Sequence, residues 1–214
     1  MKIISHRGLW LTPDEKNTTT AFQRSFFNGF GTETDIRDYC GDLIISHDVP
    51  DSAENLSLDD FLDLVSRDSA SEELTLALNI KADGLAAMIK RVMSKYPSLD
   101  YFLFDMAVPD LREYIRNKLP VFSRVSEVER YPVWLDSADG IWLDSFDSNW
   151  FNQSNIEYYL DKGMRVCVVS SELHGRNHKE LWRLLKPLEN RASLILCTDK
   201  PELAANYFSR RGFE

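Results

Sequence analysis

Residues 6–48 read HRGLWLTPDEKNTTTAFQRSFFNGFGTETDIRDYCGDLIISHD, and this stretch decides how the whole chain is organised. It follows a β-rich run, Lys2–Ser5, which His6 and Arg7 close. A helical pattern comes next: Asn17 is the expected cap, Ala21, Phe22, Ser25 and Phe26 share one face, and Gly29 is the stop. A second β-rich run, Thr32–Ile36, carries Glu33 and Asp35, and a short extra run, Leu43–Ser46, delivers His47 and Asp48. Successive strands that lie parallel need a helix to bring the chain back, so the stretch reads as one β/α repeat entering the next.

The alternation continues to the end of the chain. Further strands are expected at Leu74–Ile80, Tyr101–Phe104, Val121–Ser123, Gly140–Leu143, Arg165–Val169 and Ser193–Cys197. Between them, Ser57 with Asp60 resembles a capping box, and Leu85, Met88, Ile89, Val92, Met93 and Tyr96 follow helical spacing over three turns. Pro109 and Pro201 stand where a first helical residue would, Gly163 closes a helix, and Pro187 ends or kinks another. SEVERYPVWLDSAD, between the fifth and sixth repeats, offers only a short helix. Eight such units in one chain predict a single (β/α)8 TIM barrel domain over residues 1–214, with an open doubly wound sheet as the competitor. The aromatic stretches around Trp134, Trp142 and Trp150 are expected in the core.

Composition narrows the partners. Apolar residues at 43% and charged residues at 28% describe a soluble globular protein. A net charge of −9 argues against nucleic acid, whose affinity rests on neutralised phosphates, but leaves room for one local phosphate pocket. Cys40, Cys167 and Cys197 are odd in number and scattered, with neither zinc nor disulfide spacing, and the last two sit in apolar runs that suit inert buried thiols. No leader or membrane-spanning run is expected, and a reducing cytoplasm is the default compartment. Oligomeric state is left open.

In a parallel barrel, functional groups collect where strands end. His6 and Arg7 follow the first strand, Glu33 and Asp35 close the second, Asn79 and Lys81 the third, Asp105 the fourth and Asp144 the sixth. Residues two apart on a strand point the same way, so Glu33 and Asp35 aim together, as do Asn79 and Lys81. A carboxylate pair at a dry barrel mouth is costly unless a cation or a substrate charge offsets it, and oxygen ligands select a hard ion, Mg²⁺ or Ca²⁺. Taken singly, each feature has a plainer reading: a rim salt bridge for Glu33 and Asp35, turn chemistry for His47–Asp48, and a structural ion pair for His6–Arg7.

Taken together, the stretch from His6 to Asp48 resembles the signature of the glycerophosphodiester phosphodiesterases: His-Arg-Gly, an Asn-Thr helix start, Glu-x-Asp, and a His-Asp after a short strand. LILCTDKPELAANYF, near the end, resembles that family's closing Thr-Asp-x-Pro segment. The resemblance spans almost the whole chain and is weaker from about Val121 to Glu189. It implies that Glu33 and Asp35 hold a divalent metal, that His6 and His47 are general acid and base, and that Arg7 and Lys81 hold phosphate oxygens. It also implies a neighbouring hydroxyl of the substrate as nucleophile, through a cyclic phosphate.

Three positions depart from that pattern. Asn79-Ile80-Lys81 stands where the family usually has Glu-Ile-Lys, so the third metal ligand brings no charge, and Asp105 is a possible substitute. Glu15-Lys16-Asn17-Thr18 replaces Pro-Glu-Asn-Thr and puts a cation near the site. VVSSELHGRNH replaces a Trp-Thr segment, making Glu172 and His174 possible pocket residues. The expected activity is metal-dependent hydrolysis of a small, glycerophosphodiester-like substrate of lipid metabolism. The alternatives are an impaired barrel that binds a phosphorylated ligand and a lyase that stops at the cyclic phosphate.

Overall fold

The computed structural model describes residues 1–50, 52, 54–67 and 74–209. Nine strands and seven α-helices alternate along them: β1 Lys2–His6, α1 Thr19–Phe27, β2 Gly31–Tyr39, β3 Asp42–Ile45, α2 Leu58–Ser66, β4 Thr75–Ile80, α3 Ala86–Met93, β5 Asp100–Phe104, α4 Val108–Arg116, β6 Phe122–Val125, β7 Gly140–Leu143, α5 Gln153–Asp161, β8 Arg165–Val169, α6 Lys179–Leu185, β9 Leu194–Thr198 and α7 Pro201–Ser209. Eight of the strands are parallel, and the fold class is the (β/α)8 barrel. The ninth, β3, is antiparallel to β2 and corresponds to the extra run at Leu43–Ser46. The chain divides into two compact units, His6–Phe122 and Met1–Ser5 with Ser123–Glu214, passing between them inside β1 and inside β6.

In the unit His6–Phe122, β2 pairs with β4 and β4 with β5 in parallel register, and a parallel bridge from Leu103 to Val121 follows. Helix α1 packs Phe22 against Phe61 of α2, ring centroids 4.7 Å apart and edge to face, which closes the apolar layer over these strands. Two glycines permit close approach. A Cβ on Gly31 would lie 2.1 Å from the Thr75 carbonyl, so β2 can lie against β4 only without a side chain there. Gly8, at φ +85°, would place a Cβ 2.7 Å from that of Ala21, which is why the turn after β1 needs glycine on both counts.

In the other unit, β9 pairs with β1 and β8, and β8 with β7. Its core joins Leu143, Val166, Val168, Leu194 and Leu196 from the strands to Ile156, Trp182 and Leu185 from the helices. Cys167 and Cys197 are buried and outside any disulfide, whereas Cys40, in the first-described unit, is exposed.

Several expectations require correction. Thr18, not Asn17, caps α1: its Oγ1 accepts from Ala21 N at 3.3 Å, and Asn17 sits at φ 60° with its side chain turned elsewhere. Pro109 is the second residue of α4 rather than the first, while Pro201 does open α7. Trp142 is buried, but Trp134 is 46% exposed in left-handed backbone at φ 56°, ahead of a single 3₁₀ turn at Leu135–Ser137. That turn is the only helical structure among the described residues of SEVERYPVWLDSAD, since the segment lacks a spaced apolar face to bury.

Candidate active site

Every charged residue expected at the first four strand ends falls in the unit His6–Phe122. Alternation along β2 turns Glu33 and Asp35 to the same side, and the parallel register sets Asn79 of β4 directly beside Asp35. All three are buried, at 2%, 0% and 6% exposure. Two cations answer Asp35. Arg7 Nε stands 2.8 Å from Oδ2, a charge contact whose N–H is not aligned as a hydrogen bond, and Lys81 Nζ stands 3.4 Å from Oδ1. His6 Nε2 lies 3.8 Å from Glu33 Oε2, a charge contact rather than a hydrogen bond.

Burial holds the Glu33 carboxyl well above its ordinary value, and the negative charge of Asp35 pushes in the same direction. Arg7 and Lys81 act against this, as does a hydrogen bond donated by the Asn79 amide. Glu33 Oε2, Asp35 Oδ1 and Asn79 Oδ1 are nevertheless buried without a hydrogen-bond partner. Three orphaned oxygens on two adjacent strands are a donor set that a hard divalent cation fits. The charge of that set is lower than a third carboxylate would make it. Among the described residues no group of three or more His, Cys, Asp or Glu side chains is placed to hold a metal ion. Asp105, half-buried at φ 69° just after β5, does not complete one with Glu33 and Asp35.

Two residues outside the expected set organise this cluster. Asn17 Nδ2 donates to Asp35 Oδ2 at 2.9 Å while its Oδ1 accepts from Thr34 Oγ1 at 2.9 Å. Its left-handed backbone, with its N–H on the Arg7 carbonyl at 3.0 Å, aims the amide at β2. Asparagine tolerates that conformation better than most residues, and this is the one signal in the sequence that could have marked it. Arg37, two residues beyond Asp35 on the same side of β2, donates to the Lys81 carbonyl at 2.8 Å and to the His47 carbonyl at 3.0 Å. It thereby fixes the ends of β4 and β3 relative to each other.

Arg7, Lys16, Asn17 and His47 line one cavity of about 590 Å³, with Ser46, Asp48 and Glu54 also on its wall. His47 is 46% exposed and its Nδ1 lies 2.8 Å from Asp48 Oδ1. Glu15 does not face this space: it binds Arg24 and the Leu11 N–H, each at 2.8 Å, and these contacts hold its carboxyl below the usual carboxylate range.

Glu172 and His174 belong to the other unit, where both are engaged internally. Glu172 accepts from Ser170 Oγ at 2.5 Å and from the Thr198 hydroxyl, tying the end of β8 to the end of β9. His174 Nε2 lies 2.7 Å from Asp144 Oδ1, and Phe146 meets the imidazole edge to face.

No protein-family model matches the chain, and no curated protein matches it. Solved structures do. A glycerophosphodiester phosphodiesterase from Agrobacterium tumefaciens superposes with a TM-score of 0.70 at 16% identity, over 98% of this chain and 100% of that one. One from Parabacteroides distasonis gives 0.67 at 16% identity, covering 97% and 96%. A glycerophosphoryl diester phosphodiesterase from the same organism gives 0.50 at 14% identity, covering 97% and 86%. At these identities the likeness is one of fold. No described helix is long and apolar enough to cross a membrane.

Proposed function

We propose that the chain cleaves a small phosphodiester, of the glycerophosphodiester kind, with His6 and His47 exchanging protons with the reacting oxygens. The observation that carries this reading is the cluster at the end of β2. Two buried carboxylates stand there with three orphaned oxygens between them and Asn79, two cations sit alongside, and a histidine lies close to Glu33. Lys81 and His6 meet two of these oxygens only by charge, and none of the three accepts a hydrogen bond.

Glu33, Asp35 and Asn79 would hold Mg²⁺ or Ca²⁺, which would supply Lewis-acid charge at the phosphate. The chain's own residues account for the remaining work. Arg7 lines the cavity and Lys81, at the end of β4, joins it on Asp35; their N–H donors would meet non-bridging phosphate oxygens and favour the crowded, more negative transition state. One of His6 and His47 takes the proton of the substrate's attacking hydroxyl, and the other protonates the departing alkoxide. Asn17 holds the Asp35 carboxylate in place, and Arg37 ties His47 to the strand that carries Lys81. No side-chain nucleophile is required: a neighbouring hydroxyl on the substrate attacks with the advantage of proximity and forms a cyclic phosphate, which water then opens to the phosphomonoester with the two histidines exchanging roles.

A second reading has its own observation. Asp35 already meets two cations, and Asn79 contributes no charge, which suits a pocket that binds a phosphorylated ligand without turning it over. Incubation of the protein with glycerophosphocholine, in Mg²⁺, Ca²⁺ or chelator, separates the two. Phosphorus NMR should show a phosphomonoester that appears only with metal. Accumulation of cyclic phosphate would make the protein a lyase. No product under any condition, with thermal stabilisation by ligand, would make it a binder.

A further inference from the structure

Lys16 is a cation held over an aromatic ring, and its charge has no carboxylate partner among the described residues. Its ammonium lies 4.5 Å from the centroid of the Trp10 ring, and Trp10 Nε1 donates to the His6 carbonyl at 3.1 Å, so the ring is moored to the strand end that carries His6. The neighbouring acid, Glu15, is held by Arg24 and the Leu11 N–H. Among the described residues no carboxylate forms an ion pair with Lys16. The half-buried lysine shares the cavity wall with Arg7 and His47. Arg7 and Lys81 differ from it in being matched to Asp35. The other charges on that wall are acidic: Asp48, 91% exposed and close to His47, and the exposed Glu54.

We propose that Lys16 is a specificity residue that selects diesters whose head group bears a carboxylate, an inference that rests on the phosphodiesterase reading above. A carboxylate reaching past the scissile phosphate meets an ammonium that no carboxylate among the described residues neutralises, and the contact is charge-assisted. A single negative charge is favoured over a second phosphate because Asp48 and Glu54 face the same space and repel a dianion more strongly. A quaternary ammonium is disfavoured: the ring face of Trp10 that would receive it already carries Lys16, and two cations over one ring repel.

Glycerophosphoserine and glycerophosphoethanolamine differ by one carboxylate and form a matched pair of probes. Their kcat/KM and calorimetric Kd are measured on the full chain, with metal, for the wild type, Lys16→Met and Lys16→Arg. The wild type should prefer the serine diester by about fivefold, the scale of a partly exposed ion pair. Lys16→Met should bring the ratio to about one, and Lys16→Arg should restore it. Equal handling of the two diesters by the wild type, or a preference that survives in Lys16→Met, overturns the proposal while leaving the hydrolase intact. A binding preference abolished by Lys16→Met without any turnover upholds the selectivity and removes the hydrolase. Neither binding nor turnover removes both.

Discussion

Asp35 shows how a fully buried carboxylate is kept at the floor of this site. Arg7, Lys81 and Asn17 approach it from three different parts of the chain, two by charge and one by a direct hydrogen bond. Asn17→Ala removes that bond and also strands the Thr34 hydroxyl, so thermal or denaturant unfolding should show a loss of about 1–3 kcal/mol, the penalty for buried groups left unsatisfied. Glu33 makes a prediction in pH. Its carboxyl is raised, so above the ordinary value of 4.5 the folded protein holds a proton that the unfolded chain has released. Stability therefore falls as pH rises through that interval, and Glu33→Gln, which does not titrate, should flatten the fall when melting temperatures are compared in chelator. Glu33 and Asp35 were legible because a spacing of two fixes a common side of a strand. Asn17 and Arg37 were not. Asn17 acts through a left-handed backbone on an acid 18 positions away, and Arg37 acts through carbonyls 10 and 44 positions away, relations no local pattern encodes.

At the scale of elements, the turn after β1 and the β2–β3 hairpin do the positioning. The hairpin carries the chain back so that Ser46 N–H meets the Asp35 carbonyl at 3.0 Å, and Arg37 then holds His47 in place. Arg37→Met should lower kcat/KM by about tenfold or more through misplacement of His47. Arg37→Lys should not rescue it, because one ammonium cannot reproduce a donor pair spread along a planar guanidinium. Gly8→Ala combines a positive φ with a 2.7 Å collision against Ala21 and should cost more than about 1 kcal/mol in the melting curve. Helix starts were readable where a cap forms through its nearest neighbours, as Ser57 does with Asp60 at 3.0 Å. The start of α1 was misread by one residue because Asn17 and Thr18 are both good caps, and only the long-range pull of Asp35 on Asn17 separates them.

Across the whole molecule, the alternation of strand and helix was enough to give the barrel class, because parallel strands joined by helices leave few arrangements open. The sequence offered nothing to place Trp134, which lies in a loop with no periodicity to orient it. All the residues proposed for catalysis come from the unit His6–Phe122, so binding there should register as stabilisation of that unit. Mg²⁺ or Ca²⁺ at about a hundredfold excess over its Kd should add about 2.7 kcal/mol, and Asn79→Glu should reach the same gain at lower ion concentration. Both effects should strengthen with rising pH as Glu33 gives up its proton. The most direct test is the rate of diester cleavage by His6→Ala and His47→Ala, each folded and at saturating metal, beside the wild type. Paired proton transfer predicts that each variant loses about 10²–10⁴ in kcat. Metal-dependent cleavage that persists near the wild-type rate in either variant would contradict it.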